Sequence, residues 1–252
     1  MKGTVLYAAD VSCLNEPALY ARAYRLASPE RREKTDRLRF GKDRNLSLGA
    51  WLLLRYALRR AGFSEQPELR YGENEKPYLK SPAGVFFSLS HSGTLAVCAL
   101  SERETGCDIE RLGGMRLPLA RRFFCPEEVA ALEKSADALD FYRIWTCKES
   151  FLKATGLGLR LPMDSFFVRL GNPPILCQSV NDKTYRLQEF SDLPGYACAL
   201  CTEEPCGEAE LHTVYLSSVM NPYKDPRDTV PGITRQTVKE PCRPKISEGK
   251  IV

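Results

Sequence analysis

Asp108 and Glu110, two residues apart in GCDIERL, are the first groups in this chain whose types and spacing suggest chemistry. In an extended strand alternate side chains share a face, so the two acids point one way while Cys107 and Ile109 point the other and can pack inward. Carboxylates that close repel each other unless positive charge stands between them. A solvated strand end with Arg111 as neutralising partner accounts for this segment as well as a site for a hard cation does. Removing one acid should relieve repulsion, so the metal-free fold is expected to hold or gain stability in Asp108→Ala or Glu110→Ala.

Farther on, WTCKESFLKATG places Glu149 and Lys153 four apart on one helix face, with Trp145, Phe151 and Leu152 on the buried side. A surface ion pair of this kind is common and contributes little. If Glu149 instead faces the strand of Asp108 and Glu110, three acids converge as an oxygen donor set suited to magnesium. Lys153, one turn on, would then reach a phosphate. In FSLSHSG, His91 stands among Ser88, Ser90 and Ser92 at a turn ending in Gly93. Such a histidine can bind phosphate or act as a base, or it can simply bond its own turn, and the segment alone favours the turn. A serine-hydrolase reading fails because the glycine-serine-glycine elbow is missing. Arg31, Arg32, Lys34, Arg37 and Arg39 crowd one short segment, either as a solvated face or as a clamp for phosphates.

These groups need elements to position them. GTVLYAAD reads as a first strand, and SPERREKTDRLRF as a helix with Ser28 as N-cap and Pro29 as first helical residue. NLSLGAWLLLRYALRRAG is a leucine-rich helix stopped at Gly62. ELRYGENEKPYL carries a turn around Asn74, and VFFSLSHS and LAVCAL read as strands. The second half opens with the strand GCDIERL. LPLARRFFCPEEVAAL and LDFYRIWTCKESFLKATG follow as helices, the latter ending at Gly156. FFVRL, TYRLQEF, GYACALC and LHTVYLSS then read as strands. The expected architecture is α+β: two similar lobes, 1–102 and 103–220, related by a pseudo-two-fold, with the site in the cleft between them. Residues 221–252 are rich in proline and charge and lack apolar periodicity, which predicts a disordered tail.

The chain has 252 residues, 43% hydrophobic and 27% charged, with a net charge of +4. That is ordinary globular composition and too mild a charge for a nucleic-acid binder. The opening MKGTVLYAADVSCL lacks a signal-peptide core, and no stretch is apolar enough to cross a bilayer, so a cytoplasmic protein is expected. Ten cysteines are then best read as reduced thiols. Cys198, Cys201, Cys206 and His212 cluster in sequence, but residues three apart on the strand GYACALC face opposite ways, which argues against zinc.

FSLSHS, GCDIE and WTCKESFLKATG, in this order and at these separations, resemble the 4′-phosphopantetheinyl transferase superfamily. The two-lobed reading is similar to its monomeric branch, which activates nonribosomal peptide and polyketide synthetases. The resemblance covers roughly residues 1–220. It implies an enzyme of the holo-[acyl-carrier-protein] synthase type that moves the phosphopantetheine arm of coenzyme A to a serine of a small acidic apo acyl or peptidyl carrier protein and releases adenosine 3′,5′-bisphosphate. It further implies that Asp108, Glu110 and Glu149 hold magnesium, or manganese, against the diphosphate. Lys153 would meet the bridging phosphate or leaving group, and Glu149 or a metal-bound water would be the base. Ser90 and His91 would touch phosphates, while Arg31, Lys34, Ser47, Lys76 and Pro77 would bind the nucleotide end. Glu75 stands where the family usually carries glycine before the lysine-proline pair. Two other readings use the same residues. One is a metal-dependent phosphodiesterase or pyrophosphatase attacking with water, and the other is a non-catalytic nucleotide-binding module.

Overall fold

The computed structural model describes residues 3–220; the expected tail, 221–252, lies outside the described residues. The first half runs β1 (Val5–Asp10), α1 (Pro17–Leu26), α2 (Pro29–Asp36), α3 (Gly41–Arg60), β2 (Leu69–Tyr71), β3 (Pro77–Leu79), β4 (Phe86–Ser92) and β5 (Leu95–Ser101). The second half runs β6 (Thr105–Arg111), α4 (Leu117–Phe123), α5 (Pro126–Ser135), α6 (Ala138–Thr155), β7 (Phe167–Arg169), β8 (Ile175–Cys177), β9 (Tyr185–Glu189) and β10 (Tyr196–Glu203). Each half is therefore one strand, three helices, a short strand pair and two further strands. The sheets match as well, β1-β5-β4 against β6-β10-β9. This is the expected pair of similar α+β lobes.

One stretch departs from the expected division. β11 (Glu210–Thr213) leaves the second half and pairs in parallel with β1, and α7 (Leu216–Val219) follows it onto the first core. The 103–220 lobe thus gives its last residues to the other lobe. LHTVYLSS is not one strand, because the chain turns into α7 after Thr213. The single helix expected over LPLARRFFCPEEVAAL is two. Pro126 lacks the N–H that would continue the first helix, and Glu128 accepts from the Cys125 N–H at 2.9 Å to start the second. The N-cap at Ser28 is as expected, accepting from Arg31 N.

Burial explains the layering. Along β1 and β5, Tyr7, Ala9, Ala96, Cys98 and Leu100 face α3, whereas Leu6, Ala8, Val97 and Ala99 face the other sheet. Along β10, Ala197, Ala199 and Cys201 face the α6 core, while Cys198 and Leu200 join Cys107 and Ile109 of β6 between the sheets. The period of two thus builds three apolar layers from strands buried on both sides. Cys198 and Cys201 do diverge, and both are buried free thiols.

Candidate active site

Strand β4 lies beside β6 at the lobe boundary, and alternate serines stitch the two together. Ser88 Oγ accepts from Cys107 N at 3.0 Å, and Ser90 Oγ donates to Asp108 Oδ1 at 2.7 Å. Ser92 Oγ donates to Glu110 at 2.9 Å and accepts from Arg111 N at 3.0 Å. Helix α6 then packs over the acidic face of β6 unusually closely. A Cβ on Gly106 would stand 2.0 Å from Ser150 O and 2.4 Å from Ala154 N, so only glycine permits this approach. The contact brings Glu149 and Lys153 to the strand that carries Asp108 and Glu110.

Asp108 is only 4% exposed, which rules out the solvated strand end for this residue. Its neutralising partner is Lys153, not Arg111: Lys153 Nζ donates to Asp108 Oδ1 at 2.6 Å, to Ser90 Oγ at 3.0 Å and to Cys107 O at 3.2 Å. Nor is Lys153 bound in a simple surface pair with Glu149. Asp108 Oδ2, by contrast, is buried without a partner. Burial, then the Asp108 charge, pushes the Glu110 carboxyl up, although Ser92 and Lys153 oppose this. Glu149 is pushed up by the same causes in the same order, and Glu110 adds to them. Burial works most strongly against the charge on Lys153, but Asp108, Cys107 and Glu149 together outweigh it and the ammonium is held above its ordinary value.

The site opens into a cleft of about 620 Å³. Arg31, Lys34, Ser47, Lys76, Pro77, Ser90, His91, Glu149 and Lys153 all line it; Asp108 and Glu110 do not, although Asp108 is bonded to Ser90 and Lys153, which do. In the same lining Arg31 stacks on Trp51 at 4.7 Å and reaches Ser47 Oγ at 3.4 Å. Burial lowers both Arg31 and Lys34, and Arg31 adds to the effect on Lys34. His91 stands exposed at the wall, and its imidazole is lowered chiefly by desolvation. Lys76 lines the cleft too, but its ammonium turns to Glu104, Ala154 O and Thr105 O.

Several contributors escaped the sequence reading. Asn74 lines the cleft with a buried, unpartnered Oδ1, and nothing in the segment marks that role. The interlobe use of Ser88, Ser90 and Ser92 was visible as a period of two, which marks a shared face without naming the neighbour. Glu75 adopts φ +62° at the end of a tight hairpin, so the chain keeps the left-handed conformation that glycine favours there. Lys148 is fully buried but structural: it pairs with Glu128 at 2.9 Å and donates to Met163 O and Phe166 O.

Among the described residues, no three carboxylate, imidazole or thiol groups are gathered as a ready ligand set. The donor chemistry nevertheless fits a divalent cation. Asp108 has an unused buried oxygen, and two neighbouring glutamates are destabilised as anions by burial and then by the Asp108 charge.

Comparison with known proteins agrees with this geometry. The sequence profile of the 4′-phosphopantetheinyl transferase superfamily matches residues 104–201, which hold β6, α6 and the acids they carry. The 4′-phosphopantetheinyl transferase Sfp of Bacillus subtilis (strain 168) is 34% identical over 186 residues, 71% of this chain and 83% of its own. A second 4′-phosphopantetheinyl transferase of Bacillus subtilis is 34% identical over 200 residues, 74% of this chain and 87% of its own. A 4′-phosphopantetheinyl transferase, HetI, of Nostoc is 41% identical over 103 residues, 37% of this chain and 44% of its own. With both lobes spanned by such relatives, and with β6 and α6 inside the matched profile, the chain belongs to the 4′-phosphopantetheinyl transferase superfamily.

Proposed function

We propose that this chain is a magnesium-dependent 4′-phosphopantetheinyl transferase of the holo-[acyl-carrier-protein] synthase type. It would transfer the phosphopantetheine arm of coenzyme A to a serine of an apo acyl or peptidyl carrier protein. The observation that carries this reading is the charged lining of the cleft. The same cleft is lined by Glu149 and by Lys153, which is bound to the buried Asp108, and also by the basic groups Arg31 and Lys34. A substrate with a diphosphate and a further phosphate matches both sets of groups.

Magnesium or manganese held by Asp108, Glu110 and Glu149 would neutralise charge on the diphosphate. The chain's own groups would do the rest. The serine Oγ forms a bond to the phosphorus on the pantetheine side, and the bond from that phosphorus to the adenosine 5′-phosphate oxygen breaks. Glu149, whose carboxyl is raised toward neutrality, takes the serine proton. Lys153 meets the charge on the departing adenosine 3′,5′-bisphosphate. Ser90 and His91 would hold phosphate oxygens, while Arg31, Lys34 and Ser47 would hold the nucleotide end beside Lys76 and Pro77.

Both lobes of the chain supply lining groups to this one cleft, and the reading is of a protein that acts as a monomer. Among the described residues no helix is long and apolar enough to cross a membrane. The buried free thiols favour a reducing, cytoplasmic setting.

Mass spectrometry of an apo carrier protein incubated with coenzyme A, magnesium and this protein tests the reading. The expected result is a gain of one phosphopantetheine arm on the carrier. Coenzyme A cleavage without a carrier would replace the reading with a hydrolase, and magnesium-independent binding without turnover would replace it with a binding module.

A further inference from the structure

Lys76 lines the cleft, yet its ammonium is held by protein and its side chain is more deeply buried than that of Lys153. Its side chain is 8% exposed, and an ammonium has three N–H donors. One goes to the Glu104 carboxylate, one to Ala154 O at 2.7 Å and one to Thr105 O at 3.5 Å. Its stem lies along the C-cap of α6, where Gly156 sits at φ +70° and an added Cβ would stand 2.9 Å from Lys76 Cδ. The lysine itself belongs to the other lobe. It closes the β2–β3 hairpin, accepting from Gly72 N at 2.9 Å through its own carbonyl, directly after the left-handed Glu75. All three acceptors lie at the ends of two elements, the start of β6 and the last turn of α6. Those elements carry Asp108 and Glu110, and Glu149 and Lys153.

We infer that Lys76 is a positioning residue: a cross-lobe tie that fixes β6 and the C-terminal end of α6 against the first lobe and so sets the relation of the acids to Lys153. The tie satisfies one helix-end carbonyl, Ala154 O, with a cation, which also suits the negative end of the helix dipole. Lys153 also has three protein acceptors but is 31% exposed, whereas Lys76 at 8% keeps its ammonium turned to protein. Its predicted kinetic signature therefore differs from that of a nucleotide ligand. The kinetic part rests on the transferase reading above; the structural part does not.

Lys76→Met and Glu104→Gln test it, singly and together, with three readouts. In Lys76→Met, kcat should fall by about tenfold or more while the KM for coenzyme A stays within about threefold. Calorimetric affinity for adenosine 3′,5′-bisphosphate should stay within about threefold as well. Hydrogen exchange should quicken in residues 152–156 and 104–106 and stay unchanged along α3. Glu104→Gln, which keeps the lysine, should quicken the same amides to a smaller extent, and the double variant should be little worse than Lys76→Met alone. A loss of bisphosphate affinity of about tenfold or more, with kcat and amide exchange held, would make Lys76 a ligand and overturn the inference. Wild-type protein that transfers nothing would remove the transferase reading, while the exchange measurements would still decide whether the tie exists.

Discussion

The 2.6 Å contact between Lys153 and Asp108 reverses one expectation drawn from spacing alone. Two acids sharing a strand face predict relief on removing either. For Asp108 the dominant neighbour is instead a lysine, and Asp108→Ala would strip a partly buried ammonium of its main counter-charge. Metal-free stability should therefore drop by about 1–3 kcal/mol, read by denaturant titration, and transfer should be lost. A variant as stable as wild type would show that the pair contributes nothing. Glu110 and Glu149 differ from Asp108 in this respect. Their carboxyls are raised by burial first and by Asp108 second, so the folded protein binds these protons more tightly than the unfolded chain does. Stability from this source is full below the ordinary glutamate range, about pH 4.3, and is lost as pH rises through the raised values. Magnesium held by the ionised forms should offset that loss. The rise in Tm on adding magnesium should grow with pH across this window, and Glu110→Gln should flatten both trends. A magnesium effect independent of pH and unaltered in Glu110→Gln would remove these carboxylates from the metal site.

At the scale of elements, the site depends on how closely α6 can lie on β6. The helix was legible from its apolar period and its stop at Gly156, and β6 from its alternation. Their contact was not legible, because a glycine before two acids looks the same whether it ends a turn or admits a helix backbone. Gly106→Ala places a methyl group against Ser150 O and Ala154 N, which are backbone atoms with no rotamer to yield. The helix must then lift, at a cost of about 3 kcal/mol. Transfer should fall with stability, since Glu149 and Lys153 move away from Asp108. Gly114→Ala, where nothing lies within 4 Å, serves as the control and should change stability by less than about 0.5 kcal/mol. Equal behaviour of the two variants in thermal melts and turnover would refute the close-packing account. The split of α4 from α5 shows a similar limit. Pro126 marked a start, but the apolar pattern on both sides of it read as continuous.

For the molecule as a whole, the repeated order of elements made two lobes legible without any repeated sequence, since each lobe needs its own long helix over its own sheet. What the order hid was the return of the chain after residue 209. The pairing partner of β11 is β1, about two hundred residues earlier, and short-range pattern carries no record of so distant a strand. That return fixes where the chain can be cut. Leu216, Val219 and Met220 are buried in the first core, and Arg22 donates to Met220 O at 2.9 Å. Each buried side chain contributes about 1.5–3 kcal/mol, so removing all three costs roughly 5 kcal/mol or more, before the loss of the β1–β11 ladder. That is comparable to the whole stability of a typical domain, about 5–15 kcal/mol. Truncation after Gly207 should therefore give insoluble or unfolded protein. Truncation after Met220 keeps every one of these contacts, and the composition of 221–252 offers no apolar face to dock, so solubility, Tm and transfer should match the full chain. Expression of the two truncations side by side, followed by thermal melts and the carrier-loading assay, decides the matter. A soluble, active protein ending at Gly207 would show that β11 and α7 are dispensable, and a dead one ending at Met220 would show that the last 32 residues are not.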